Sequence, residues 1–386
     1  MDSVTHTAAA PPPATGARPR VLAYDALRVF AILTVVAIHS FMPLRPLVAR
    51  DSLAAVTDDL LHYAVPLFVF ISGALVWSKP LPDEKGAYGR FMLAKAKLIG
   101  APYLAWAVLY LGVLLARSAD PAASLARAPG LLLTGHVWYH LYFVPMLLTF
   151  YALTPLFARA LRRRPDLTLL VLYAVRIAFW PPLGGWLREV APGLPYSYAT
   201  HIATHLPHMA LGAWFALRCP ALPRWVRAAW PALLVGGTVP LYAMSIGATA
   251  AWPDPARRLA YPLGMAATVL GIAFAAFAAE KPLAAANRGE RVRRTLVAAA
   301  ALSFGVYFVH PLWLLAAEGV VDAAAGAGAS RMWLTPLAMP VTWVAICVAS
   351  YASAWLLSRT RYTAWLVGVR APVPGGRRVA DTGASG

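Results

Sequence analysis

Apolar runs of about 17 residues or more recur along this chain, separated by short polar clusters. Each is long enough, as a helix, to cross the hydrocarbon core of a bilayer. They lie near 21–42, 58–78, 98–116, 137–158, 167–182, 200–217, 228–247, 259–279, 296–317 and 333–357. Composition points the same way: 60% of the 386 residues are hydrophobic, 13% are charged and mean hydropathy is +0.61, whereas soluble domains are about 45–50% apolar. The sequence therefore predicts an all-α membrane protein, a polytopic bundle of about ten transmembrane helices. No convincing internal repeat stands out, and no soluble stretch is long enough to fold separately.

A formal net charge of +18 and a pI of about 10.3 would suggest nucleic acid as the partner of a soluble protein. The placement of the charges gives a different reason. With the N-terminus inside, 24 of the 34 Lys and Arg residues fall in the two tails and the loops on that side, 8 fall in outside loops, and Arg28 and Arg176 sit within spans. That bias follows the positive-inside rule and predicts both termini in the cytoplasm. The basic charge is topogenic, and no nucleic-acid partner is expected. Residues 1–20 lack the apolar core and cleavage site of a signal peptide, so they are expected to form a disordered cytoplasmic tail ahead of an uncleaved first span. A transmembrane domain over 21–357 and a basic, then disordered, tail over 358–386 complete the expected organisation. Cys219 and Cys347 are too few and too far apart for a disulfide frame or a metal site, and read as packing residues.

One span departs from the apolar pattern. The stretch Tyr24–Ser40, YDALRVFAILTVVAIHS, carries an arginine and a histidine inside an otherwise continuous apolar run. A charge at the centre of a span costs about 2.5–3.5 kcal/mol on insertion scales, so such groups normally face a bundle interior or a wet cavity and mark a functional site. Arg28 and His39 are eleven residues apart, which at about 100° per residue returns to within roughly 20° of the same face and about 16 Å along the axis. Asp25, one turn earlier, shares that face. It reads either as the group that orients Arg28 and lowers its burial cost or as an N-terminal carboxylate interacting with the helix dipole.

The predicted topology puts Arg28 towards the cytoplasm and His39 near the outer side. His62, His136, His140, His201, His205, His208 and His310 map to the same outer half, leaving only His6 in the tail. Taken singly, His62, His136, His201 and His208 fit an interfacial belt, while His140 and His310 fit a belt or a site equally. His201 and His205 have the spacing of a helical zinc pair, but no carboxylate or HExxH glutamate supports it, and no metal is expected. On the cytoplasmic side, Arg90, Lys95 and Lys97 in GRFMLAKAKLIGAPYLAW are either topogenic anchors or a rim that attracts the phosphates of an anionic cofactor. In VPLFVFISGALVW, Ser72-Gly73 permits close helix approach, whereas nothing predicted at that depth except Asp25 would activate Ser72 as a nucleophile.

Four segments together carry a family likeness: Asp25-x-x-Arg28 followed by ten residues and His39, VPLFVFISGALVW, WYHLYFVPMLLTFYALTPLF and SFGVYFVHPLW. In this order, from about Tyr24 to Leu357, they resemble the acyltransferase-3 family of integral-membrane acyltransferases, and in character the bacterial members that O-acetylate surface or secreted glycans. The resemblance implies a multi-pass protein of the bacterial inner membrane. It would move an acyl group, acetyl foremost, from acyl-CoA to a hydroxyl of a carbohydrate or cell-envelope glycan, with Arg28 and His39 as the essential pair. The segment containing Arg90, Lys95 and Lys97 is less arginine-rich than in many relatives.

Under this reading Arg28, Arg90, Lys95 and Lys97 bind the acyl-CoA phosphates and Asp25 supports Arg28. His39 acts as general base, its ordinary pKa of about 6.5 suiting proton transfer near neutrality, or else carries the acyl group as an acyl-histidine. His140, Tyr139, Tyr142, Tyr307 and His310 are the expected substrate-binding residues, with aromatic rings available to stack on sugars. The rival from another class is a transporter that uses Arg28, His39 and the outer histidines as a substrate or proton path. A catalytically inert scaffold is a third reading, but it would not need to keep the Arg28/His39 pair.

Overall fold

The computed structural model describes residues 20–41, 53–78, 86–179, 196–285, 289–326 and 338–369, together with positions 183, 185, 186 and 189. Of the tails expected over 1–20 and 358–386, residues 1–19 and 370–386 lie outside the described residues. The described chain is helical, with turns between helices and no strand. The main helices are α1 (Leu22–Phe41), α2 (Leu53–Leu61), α3 (Ala64–Trp77), α4 (Ala87–Lys95), α5 (Ala101–Arg117), α6 (Pro121–Thr134), α7 (Phe143–Arg163), α8 (Pro165–Ala178), α9 (Tyr196–Arg218), α10 (Trp230–Ser245), α11 (Asp254–Ala285), α12 (Gly289–Gly326) and α13 (Ala338–Ser358).

Among the described residues, seven stretches are long and apolar enough to cross a membrane: Leu22–Ser40, Ala55–Trp77, Ala87–Arg117, Phe143–Arg163, Asp254–Glu280, Gly289–Gly319 and Pro340–Ser358. The other three expected spans correspond to helices that fall short for different reasons. The α8 helix has 14 residues and α10 has 16, so each rises about 21–24 Å against a hydrocarbon core of about 30 Å. The α9 helix has 23 residues but carries His201, His205 and His208, which lower its hydropathy. The span expected over 137–158 begins differently as well. Residues 135–142 form a partly buried run of turns, and α7 starts only at Phe143.

At the centre lies α1, packed against α3, α11, α12 and α13. Its first half contributes Tyr24, Leu27 and Ala31 to a core shared with Phe70, Leu211 and Phe215. Its second half contributes Ile32, Val35, Val36 and Ile38 to another core, formed with Tyr103, Tyr110, Leu141 and Phe308. In lipid such contacts are held by close packing rather than by escape from water, which places a premium on small residues where helices cross.

The crossing of α3 and α9 shows this directly. A Cβ on Gly73 would stand 2.1 Å from the Met209 carbonyl oxygen, and one on Gly212 would stand 2.0 Å from the Phe70 carbonyl oxygen. The two backbones touch through opposed glycines, as the Ser72-Gly73 pair predicts. A five-residue π-helix, Ala96–Gly100, joins α4 to α5. Pro102 follows it and has no N–H to give the preceding turn, and the wider π turn accommodates that loss.

After Ser358, where a basic tail is expected, the chain turns back instead. A 3-10 turn at Ala364–Val367 buries Ala364 and Val367, and Trp106 Nε1 donates to the Leu366 carbonyl at 2.9 Å. Gly305 permits this contact, since a Cβ there would lie 2.8 Å from Val367.

Replacing Gly212 with valine should force α3 and α9 apart, because the obstructing atoms are backbone. The expected cost is about 1–3 kcal/mol or more, read as a lower thermal unfolding temperature in detergent. Valine at Gly236, where nothing lies within 4 Å of an added Cβ, is the matched control and should change the temperature little.

Candidate functional site

The two polar ends of α1 sit in different surroundings. At the first end, Asp25 is 2% exposed and is gripped by Arg20 through two hydrogen bonds, Nε to Oδ2 at 2.6 Å and Nη2 to Oδ1 at 2.8 Å. Arg28 stands farther off, its Nη1 3.7 Å from Asp25 Oδ1. The principal partner of Asp25 is therefore Arg20, not Arg28 as the spacing suggests. Helix α1 starts at Leu22, so Arg20 lies just before the first turn and its long side chain reaches forward to the carboxylate. The Leu22 N–H donates to Glu280 Oε1 at 2.7 Å, which ties one of the otherwise unpaired N–H groups of the α1 terminus to α11.

Arg28 remains half-buried, with Tyr151 close enough to feel its charge. The same Tyr151 ring receives Lys95 Nζ at 5.2 Å, and Phe91 receives it at 5.3 Å, both within cation–π range. Lys95 thus approaches the Arg28 neighbourhood, while Arg90 and Lys97 are exposed. Two positions along a helical turn differ by about 200°, so Lys95 and Lys97 face opposite ways, and the three cations do not form a single rim.

At the other end, rings from three separate segments meet. His39 of α1 lies 4.6 Å from Tyr139 and 5.2 Å from His310, centroid to centroid, with the two imidazoles stacked 20° from parallel. His140 lies 5.3 Å from His310 and 5.0 Å from Tyr307. The structure so brings together His39, Tyr139, His140, Tyr307 and His310, which are separated by up to 271 positions in sequence. Tyr142 turns elsewhere, stacking on His201 at 3.8 Å. It belongs with His136, His201 and His205, a neighbouring group of rings.

Local chemistry fixes this arrangement. Gly135 has φ 77°, and a Cβ there would meet Tyr142 Cα at 2.4 Å, so only glycine lets the chain fold tightly into the 135–142 turn. Tyr307 Oη donates to the His140 carbonyl at 2.7 Å, tying that turn to α12. The Nδ1 of His310 lies 3.1 Å from the Val306 carbonyl. A carbonyl only accepts, so Nδ1 carries the proton in this bond and the Nε2 lone pair is available. Neither ring nitrogen of His140, which is 3% exposed, meets a hydrogen-bonding group of the described residues. The resulting site offers basic imidazole nitrogens among aromatic walls.

A cavity of about 480 Å³ abuts this cluster, lined by Arg117, Arg127, Trp138, Tyr139, Pro311 and Glu318 among others. Of these only Tyr139 is predicted from the sequence. The rest come from α5, α6, α12 and the 135–142 turn, and only the tertiary fold reveals their proximity. The i, i+4 pair His201 and His205 has its rings 6.3 Å apart, whereas potential metal-ligating atoms of Asp58, Asp59 and His62 lie within 4.8 Å of one another. That second grouping lies at the end of α2.

A multi-pass helical bundle whose central helix presents an imidazole to a buried aromatic and histidine cluster is the class that fold and site define. A family model described as an acyltransferase domain matches residues 21–359, nearly the whole chain. The chain belongs to this acyltransferase-3 family and is a multi-pass membrane acyltransferase. Comparison with curated proteins and with solved structures gives no match.

The Arg20–Asp25 pair yields a test. Arg20→Ala leaves a nearly buried carboxylate with only the 3.7 Å contact to Arg28, whereas Asp25→Asn removes the charge itself. Removing one partner of a buried pair is costlier than neutralising it, and the partial exposure of Arg20 moderates the effect. Arg20→Ala should therefore be the less stable variant, by about 1–2 kcal/mol. Thermal unfolding of both proteins in the same detergent measures the order.

Proposed function

We propose that the protein transfers an acyl group, acetyl in the simplest case, from acyl-CoA to a hydroxyl of a carbohydrate or cell-envelope glycan. The observation that carries this reading is the convergence of His39, His140 and His310 with Tyr139 and Tyr307 at one end of α1. Neutral imidazole is the side chain best matched to hydroxyl deprotonation near neutral pH. His39 takes the acceptor proton as the hydroxyl oxygen attacks the thioester carbonyl. The new C–O ester bond forms, the C–S bond breaks, and the proton passes to the departing CoA sulfur. His310, stacked on His39, positions it and offers its own Nε2 to the acceptor hydroxyl, and the open ring nitrogens of His140 face the same use.

The donor's phosphates dock at the opposite end of α1 against Arg28 and Lys95, with Asp25, braced by Arg20, supporting the charge balance. Between the two ends, the shared face of α1 is apolar, and Ile32 and Val35 are 0% and 6% exposed. The pantetheine arm runs along this face, over the roughly 16 Å between Arg28 and His39. Because Ile32 and Val35 sit in a packed core, the helices flanking them must part to admit it. In this scheme α8 and α10, though short, cross where the bilayer thins around them and with α9 complete ten spans, both termini lie in the cytoplasm of a bacterial inner membrane, and the acceptor is met on the outer side. The excess of Lys and Arg in alternate loops supports that orientation.

Membranes carrying His39→Ala should lose acetyl transfer from acetyl-CoA by about 100-fold or more, and Arg28→Ala should raise the KM for acetyl-CoA more than it lowers kcat. Full transfer by a folded, inserted His39→Ala protein would remove His39 from the chemistry. Substrate movement across the membrane with no ester formed would favour the transport reading. Orientation is checked separately by labelling single cysteines at positions 117 and 291 with an impermeant thiol reagent in intact cells. Labelling is expected at 117 and not at 291.

A further inference from the structure

The cavity beside Tyr139 carries a charge pattern that acyl transfer to a neutral sugar does not require. Its lining includes two guanidinium groups, Arg117 and Arg127, against one carboxylate, Glu318. The Arg117 Nη1 to Glu318 Oε2 distance is 3.9 Å, too long for a hydrogen bond, so the pair is loose and an anion could displace it. Arg127 Nε donates to the Ala123 carbonyl at 3.3 Å, which engages one of its five N–H donors. In the proposed topology both arginines lie on the outer side, where only 8 of the 34 Lys and Arg residues fall. Retaining two of them at one cavity, against the positive-inside bias, calls for a local role.

The position of the cavity suggests what that role is. Tyr139 lines the cavity and its ring packs on His39 at 4.6 Å, and Pro311, also in the lining, directly follows His310. A molecule in this space therefore stands one residue away from the imidazole pair, with Tyr139 and Pro311 between. The volume of about 480 Å³ falls within the range of about 300–1,000 Å³ usual for small-ligand sites. Trp138 supplies an aromatic face, and Ser118 and Ser124, whose hydroxyl oxygens are 2.8 Å apart, supply polar contacts.

We propose that this cavity is the acceptor site, and that it selects hydroxyl acceptors bearing an anionic group, a sugar carboxylate or a sugar phosphate. Arg117 and Arg127 hold the anion, Trp138 stacks on the sugar ring, and the hydroxyl to be acylated points past Tyr139 towards His39. The assignment as acceptor site rests on the acyl-transfer reading above. The anion preference can be measured without it.

The test is calorimetric binding of glucuronic acid, glucose 6-phosphate and methyl glucoside to the purified full chain in detergent. Wild type should bind at least one of the acidic sugars about tenfold more tightly than methyl glucoside, and the tighter of the two identifies the anion as carboxylate or phosphate. The double variant Arg117→Gln/Arg127→Gln should lose this preference, whereas Glu318→Gln, which removes the competing carboxylate, should strengthen acidic-sugar binding severalfold. A gain in Glu318→Gln cannot arise from misfolding. Equal binding of all three sugars, a preference that survives in the double variant, or weaker acidic-sugar binding by Glu318→Gln would each overturn the proposal. Anion-selective binding without ester formation from acetyl-CoA in wild type would instead overturn the acyl-transfer reading while leaving the anionic-sugar site in place.

Discussion

Everything in this bundle depends on enclosing one helix that is too polar at its ends to face lipid. The Asp25 carboxylate and the His39 imidazole are both carried by α1, so α3, α11, α12 and α13 must surround it. That enclosure in turn demands near-contact of backbones at the next layer out, where Gly73 and Gly212 let α3 and α9 meet without side chains between them. The apolar middle of α1 then serves two cores at once, and the two ends are left to chemistry.

The ends are stabilised by different means. At the Asp25 end the balance is electrostatic, a carboxylate doubly hydrogen-bonded by Arg20 with Arg28 nearby and Lys95 held over Tyr151. The His39 end is built from packed rings. Stacking and edge contacts between aromatic rings and imidazoles hold it instead, worth about 0.5–1.5 kcal/mol for each good aromatic pair, with main-chain carbonyls fixing Tyr307, Tyr110 and His310. With Nδ1 of His310 engaged by the Val306 carbonyl, its Nε2 lone pair is left available.

Much of this was legible in the sequence where a local rule applied. Helical periodicity places Arg28 and His39 on one face, and depth counting assigns His140 and His310 to the level at which the structure finds them beside His39. The family pattern in SFGVYFVHPLW likewise marks Tyr307. Periodicity fails where the chain leaves the regular helix. The turn at 135–142 sends Tyr139 and His140 towards His39 but Tyr142 towards His201, and no 3.6-residue rule anticipates that division. It also fails for Lys95 and Lys97, adjacent in a sequence motif yet on opposite sides of the chain. Arg20 was hidden because a residue before a span reads as a tail, and Arg117, Arg127 and Glu318 because their meeting is purely tertiary. Among the described residues seven of the ten expected spans are long and apolar enough to cross a membrane, since histidines within α9 and the short α8 and α10 depart from the simple pattern.

The bond from Tyr307 to the His140 carbonyl has a mechanical meaning. It ties the 135–142 turn to the middle of α12, so parting the two would break a buried hydrogen bond. His39 is carried by a different piece, α1. The separation between His39 and His310 then varies with how α1 sits against α12. A motion that opens the packed Ile32 and Val35 face to admit a long, thin donor would act on that same separation. Donor entry and assembly of the histidine pair would thus be steps of one movement, with no separate gate needed at either end.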